Sequence, residues 1–216
     1  MKYNAVIFDL DGTTLATLDD LAISVNTALR KNNLPQRSFE EIRQFVGNGI
    51  RNLIERSVPD NTDKSVTDRV HEDFTEYYKE HCTDNTRPYD GIPEMLEKLK
   101  KRGIKLAVLS NKADYAVQEL CEKYFKGCFD AVAGEILGIP KKPAPDGVYA
   151  ILKKMGAELK STVYVGDSEV DIITAKNSDM DCVAVDWGFR DRQVLVDMGA
   201  KVIVSDPEEL YKAITD

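Results

Sequence analysis

Short apolar runs rich in Val and Ile recur along the chain, at residues 5–8, 104–109, 129–133, 162–165, 182–185 and 202–204. Each is bounded by polar residues or Gly, the pattern of strands buried on both faces. Helical patterns lie between them. Ile92, Met95, Leu96 and Leu99 share one helical face, and so do Val148, Ile151, Leu152 and Met155. Strand and helix alternating in this way predict an α/β fold, with a mostly parallel sheet covered on both sides.

One stretch breaks the rhythm. Between about residues 15 and 87 no run reads as a strand. Thr17-Leu18-Asp19-Asp20 resembles a capping box and leads into apolar positions Leu18, Leu21, Ala22, Val25 and Leu29. Ser38-Phe39-Glu40-Glu41 is a second capping box, Gly47 and Gly49 punctuate the residues after it, and a charged amphipathic stretch runs over about residues 63–78. Roughly 70 helical residues are too many for a plain crossover. They predict a helical domain over residues 15–86, inserted into a sheet domain made of 1–14 and 87–216.

Composition narrows the function. The 216 residues are 43% hydrophobic and 31% charged, with a net charge of −8, so a general nucleic-acid binder is not expected. The N-terminus lacks an apolar core and a cleavage site, and no apolar run approaches the ~18 residues of a membrane span. Cys82, Cys121, Cys128 and Cys182 form no C-x-x-C pair, and His71 and His81 are the two histidines. Free thiols in the cytoplasm are therefore expected rather than a zinc site. Both histidines fall in the insertion, which disfavours a Ser-His-Asp hydrolase.

Four segments at predicted strand ends carry candidate chemistry, on the edge where open parallel sheets bind ligands. Asp9-Leu10-Asp11-Gly12-Thr13 follows residues 5–8. Residues i and i+2 leave a strand on the same side, and two carboxylates so close raise each other's proton affinity unless a cation intervenes. Gly12 lets backbone N–H groups approach an anion. Ser110-Asn111-Lys112 follows residues 104–109; Ser110 can donate to a phosphate, while Asn111 with Asp114 also fits a plain helix cap. Lys142, in a Pro-rich turn, is a fixed positive charge or a solvated loop residue. Gly166-Asp167-Ser168-Glu169-Val170-Asp171 offers a further metal ligand in Asp167, with Asp171 one turn on to orient its neighbours; Ser168 and Asp171 also read as a capping pair. Together the four suit phosphoryl transfer.

With these residues in place, the chain resembles the haloacid dehalogenase superfamily. Asp9–Thr13 matches its D-x-D-G-T signature, Ser110 its second motif, Lys142 its third, and Gly166-Asp167…Asp171 its fourth, in order over essentially the whole chain. Within the superfamily, Phe45-Val46-Gly47-Asn48-Gly49 and Asp186-Trp187-Gly188-Phe189-Arg190 are similar to phosphoglycolate phosphatases. The resemblance implies a doubly wound, Rossmann-like α/β core with an inserted helical cap. It implies Asp9 as nucleophile and Asp11 as acid and then base. Mg²⁺ is held by Asp9, the Asp11 backbone and Asp167, with Asp171 behind them. Gly12, Thr13, Ser110, Asn111 and Lys142 are expected on the phosphoryl oxygens. The implied partner is a small phosphorylated metabolite, and the chain is a monomer or homodimer.

Ala16 stands where relatives often carry an acidic residue. Ser178-Asp179 replaces a common Ala-Gly, and Asp there predicts a local stability cost. Asn48, Arg51, Arg56 and Arg190 are candidates for reading the substrate, against a solvated helix face. A pyrophosphatase, a nucleotidase, a sugar-phosphate mutase and a non-catalytic phosphate-binding regulatory protein remain as alternatives.

Overall fold

The computed structural model describes residues 2–135 and 138–216. The chain runs from β1 (Ala5–Phe8) into a two-residue strand β2 (Leu15–Ala16) and then into four helices: α1 (Leu18–Lys31), α2 (Phe39–Phe45), α3 (Ile50–Ser57) and α4 (Lys64–His81). It returns through β3 (Arg87–Pro88) and α5 (Ile92–Lys101). From there strand and helix alternate: β4 (Lys105–Ala113), α6 (Asp114–Tyr124), β5 (Ala131–Glu135), α7 (Asp146–Met155), β6 (Thr162–Gly166), α8 (Glu169–Asn177), β7 (Asp181–Val185), α9 (Arg192–Asp197), β8 (Ile203–Val204) and α10 (Pro207–Thr215).

Six of the described strands form one parallel sheet in the order β5-β4-β1-β6-β7-β8. Alternate residues of β1 face opposite ways, as a pleated strand requires. Val6 and Phe8 join an apolar layer with Leu96, Leu120 and Leu210 of α5, α6 and α10. Ala5 and Ile7 join another with Val148, Ile151 and Ala175 of α7 and α8. Both layers are buried, and full burial of each large aliphatic side chain contributes about 1.5–3 kcal/mol. The chain works outward through β4 and β5, then crosses back to place β6 on the other side of β1. Strand order reverses at β1, which opens a crevice beyond its carboxyl end.

The insertion has its own apolar cluster, with Val25, Leu29, Ile42, Ile54, Val70, Phe74 and Tyr78 from all four helices and Phe189 reaching in from the sheet domain. The Ser38–Glu41 capping box forms as the sequence predicts. Two expectations are corrected. Residues 15–87 are not free of strand, because β2 and β3 pair as an antiparallel ribbon where the chain leaves and re-enters the core. Two-residue strands carry no periodicity to detect. The Thr17–Asp20 capping box does not form: the Thr17 hydroxyl is buried without a hydrogen-bond partner among the described residues. The Asp20 carboxylate turns instead to the returning linker, accepting from the Asn85 and Thr86 backbone N–H groups, the Asn85 amide and the Thr86 hydroxyl at 2.8–3.1 Å. A buried carboxylate is stable where several donors converge.

Candidate active site

The parallel register sets Phe8 level with Val108 and Val165, so Asp9 emerges at the crevice floor, where its N–H donates to Val165 O at 2.8 Å. Asp9 Oδ1 accepts from the Leu10 N–H at 2.7 Å and lies 3.0 Å from Lys142 Nζ. Both contacts fall on one oxygen, leaving the other to act. Burial pushes the Asp9 carboxyl well above the usual carboxylate range; Lys142 opposes this, and Asp171, Asp167 and Asp11 reinforce it.

Lys142 also reaches Asp171 Oδ1 at 2.8 Å, with its side chain only 3% exposed. Burial alone would pull its ammonium down, but Asp171 and Asp9 override it and hold the charge well above the ordinary lysine range. Asp171 is fully buried and caps α8, accepting from the Ser168 N–H and hydroxyl at 3.2 and 2.7 Å. The capping pair and the lysine contact are thus made by the same carboxylate, so the two sequence readings of Asp171 are compatible. Asp167 accepts from the Thr13 hydroxyl at 2.9 Å and the Phe189 N–H at 2.7 Å. Burial, and next Asp171, push it up to about 7 against those two donors.

Asp9, Asp167 and Asp171 each present a carboxylate oxygen, all within 4.8 Å of one another. Three buried carboxylates against one lysine leave an excess of negative charge. All the donor atoms are oxygens, so the set fits a hard divalent cation. The backbone is shaped around it: a Cβ on Gly12 or Gly188 would collide with the Asp167 carboxylate, and one on Gly166 with that of Asp171.

Some predicted residues do different work. The Gly12 N–H donates to Leu15 O and the Thr13 N–H to Leu10 O, while the Thr13 hydroxyl holds Asp167. As placed, these two residues build the seat of Asp167, with their backbone N–H groups bonded inside the tight Asp9–Leu15 turn. Asn111 does not cap α6, whose N-cap is Ala113; β4 runs on through Ser110, Asn111 and Lys112. Its amide donates to Lys142 O at 3.0 Å and to Gly47 O of the helical insertion at 3.1 Å. Ser110 accepts from the Lys112 N–H at 3.3 Å, so its own hydroxyl can still donate into the crevice.

The arginine candidates are engaged elsewhere. Arg51 pairs with Glu55 and Asp68, and Arg56 donates to Phe45 O. Arg190 pairs with Glu169 and donates to the Arg43 and Val46 carbonyls of the insertion at 2.9 Å.

Two further residues border the site without standing among the sequence candidates. Lys112 Nζ, on a side chain 3% exposed, lies 2.9 Å from Asp11 Oδ1 and 4.6 Å from the Tyr78 ring centroid. Burial opposes its charge, but Asp11 holds the ammonium above the ordinary lysine range. Its one sequence signal is its place two residues after Ser110. Tyr78 reads only as one more apolar position on α4. Both line a cleft that has Asp9, Asp11, Ser110 and Asp167 on the sheet side and Leu21, Val46, Ile50 and Leu53 on the helical side.

The family model for haloacid dehalogenase-like hydrolases matches residues 6–185. A phosphoglycolate phosphatase of Mannheimia succiniciproducens is 33% identical over 99% of this chain and 99% of its own length. One from Haemophilus influenzae is 36% identical over 87% and 88%. A crystal structure from Lactobacillus delbrueckii subsp. bulgaricus, provisionally assigned as a phosphoglycolate phosphatase, superposes with a TM-score of 0.93 at 39% identity, covering 99% of each chain.

Proposed function

We propose, starting from the fact that this chain belongs to the haloacid dehalogenase-like hydrolases and is a phosphoric monoester hydrolase, that it is an Mg²⁺-dependent phosphatase that hydrolyses phosphoglycolate through an aspartyl-phosphate. The observation that carries the reading is the burial of Asp9 beside Lys142, Asp167 and Asp171 at the point where strand order reverses. The names of the relatives support phosphoglycolate.

Asp9 attacks phosphorus with the oxygen not held by Lys142, forming an acyl phosphate as the ester P–O bond breaks. Asp11 gives its proton to the leaving oxygen and then takes one from the water that hydrolyses the intermediate. Lys142, the Ser110 hydroxyl and the backbone at Asn111 hold the phosphoryl oxygens as charge redistributes. Asp9, Asp167 and the Asp11 backbone carbonyl would hold Mg²⁺, with Asp171 orienting its neighbours. When bound, the ion supplies positive charge that offsets repulsion between the phosphate and Asp9. Residues 15–86 act as the cap, and 1–14 with 87–216 as the catalytic core. The four cysteines are free thiols, which suits a cytoplasmic enzyme, a monomer or homodimer.

The test is Asp9→Asn. Phosphate release from phosphoglycolate with Mg²⁺ should fall by more than about 10³-fold, with the circular dichroism spectrum unchanged. Activity within about tenfold of wild type would reject Asp9 as the nucleophile.

A further inference from the structure

We propose that Lys112 and Tyr78 form a receptor for a carboxylate carried on the carbon next to the scissile ester oxygen, so that the cleft selects phosphorylated two-carbon 2-hydroxy acids. This deepens the phosphatase reading of the same cleft and rests on it. Lys112 comes from β4 of the core and Tyr78 from α4 of the cap, and both face the space that Asp9 and Asp11 border.

Three observations carry the assignment. Tyr78 is 1% exposed, yet its hydroxyl has no hydrogen-bond partner among the described residues. A buried hydroxyl without a well-formed hydrogen bond costs about 1–3 kcal/mol; the Lys112 ammonium beside it makes the two a pair of donors that one ligand acceptor could share. Beside it, Lys112 gives one of its three N–H donors to Asp11 Oδ1 at 2.9 Å, leaving donors for a second carboxylate. The other cations near the cleft each answer two or more acceptors or an acid outside it: Lys142 has Asp9 and Asp171, Arg190 has Glu169 and two carbonyls of the insertion, Arg51 has Glu55 and Asp68, and Lys141 has Glu135.

The spacing selects the length of the substrate. Asp11 hydrogen-bonds the ester oxygen when it protonates it, and Lys112 hydrogen-bonds Asp11. Ester oxygen and ammonium are therefore each one hydrogen bond from the same carboxylate. An acid group one carbon beyond the ester carbon falls beside Lys112 and the Tyr78 hydroxyl, where two donors can share it. Around them Leu21, Ile50 and Leu53 give the cleft an apolar lining, which strengthens the pairing and penalises a leaving group that leaves it unmade.

The experiment compares phosphoglycolate with 2-hydroxyethyl phosphate. The latter keeps the phosphate, the primary alkyl oxygen and the two-carbon length but replaces the carboxylate with a neutral hydroxymethyl group. Wild type should favour phosphoglycolate in kcat/KM by about 10- to 100-fold, the range of a hydrogen bond to a charged group. Lys112→Met should bring that ratio close to one, Tyr78→Phe should lower it several-fold, and Lys112→Arg should restore part of it. The ratio separates recognition from any effect on Asp11, which both substrates need equally. A wild type that hydrolyses both esters equally well overturns the receptor and leaves the phosphatase standing. So does a Lys112→Met variant that slows both by the same factor. If Lys112→Met does not fold, the wild-type ratio and Tyr78→Phe decide. A wild type that releases phosphate from neither ester overturns the phosphatase reading, and the receptor with it.

Discussion

The two walls of the cleft are built on opposite physical principles. On the sheet side, Asp9, Lys142, Asp167 and Asp171 are packed together, nearly all shielded from water and each restrained by hydrogen bonds to strand ends or a helix start. On the cap side the wall is mostly aliphatic, and its one buried polar tip is the Tyr78 hydroxyl. Charges buried this way are expensive unless each is answered by another, so the sheet wall tolerates little change. The cap wall is held by non-directional apolar contacts and can be reshaped without dismantling the chemistry. On the proposed function, reaction type would reside in the sheet edge, and substrate choice in the helical wall and the residues that face it.

Substitutions on the two sides should differ in kind. The largest effect after loss of Asp9 is expected for Lys142→Met. It leaves Asp9 and Asp171 facing each other without a counter-charge, so stability should fall by about 3–5 kcal/mol in urea titration, and kcat by about 10²-fold or more in phosphate-release assays. A stable Lys142→Met variant would show that the sheet wall is less constrained than its burial implies. Next comes Asp20→Ala, which removes the shared acceptor of Asn85 and Thr86 where the chain leaves the cap. It should cost about 2–4 kcal/mol while leaving phosphate release per folded molecule within about threefold of wild type, since the residue lies outside the cleft.

Metal and pH sharpen the contrast further. Asp167 is pushed up to about 7 from an ordinary value of 3.8, so in metal-free protein the folded state binds more protons than the unfolded state between those values. That sign means stability falls as pH rises from about 4 to about 7. Calorimetry in EDTA should show the melting temperature dropping across this window, and Mg²⁺ should restore it at pH 7 by binding the ionised carboxylates of the folded state. A melting temperature that Mg²⁺ does not move would count against the acidic cluster as the metal site. The smallest effect is expected far from both walls. Asp179 has φ +56° at the end of α8, so Asp179→Gly should stabilise by about 1 kcal/mol. Loss of the exposed Lys160–Asp179 pair would subtract little.

What is legible in the sequence depends on the range of the forces involved. Strands such as β1 and β6 are legible because burial on both faces demands unbroken apolar runs. The Asp9, Lys142, Asp167 and Asp171 assembly is legible because each member is tied to a strand end or the turn beside it. The Asp20 junction is not: its partners are 65 and 66 residues away, and locally Thr17–Asp20 is indistinguishable from a cap. Lys112 is hidden because a lysine after Ser-Asn looks solvated until β4 is seen to carry it inward. Tyr78 is hidden because an aromatic at i+4 from Phe74 looks like packing, and its ring, stacked on Phe74, is packing. The same residue also lines the cleft. Gly12 and Thr13 show the converse: the pattern marks their segment, but the turn spends their donors internally.

The Arg190 clamp has a consequence for timing. Its guanidinium grips the Arg43 and Val46 carbonyls across the boundary between the two layers, and the Asn111 amide grips Gly47 O beside them. All three grips close on one five-residue span, 43–47. A motion that swung the helices away would have to break that cluster and later remake it, at about 1 kcal/mol per bond. Any opening of the cleft along this boundary would thus include an unlatching step. Because Asn111 also holds Lys142 O, the latch is wired into the loop that carries the lysine paired with Asp9 and Asp171.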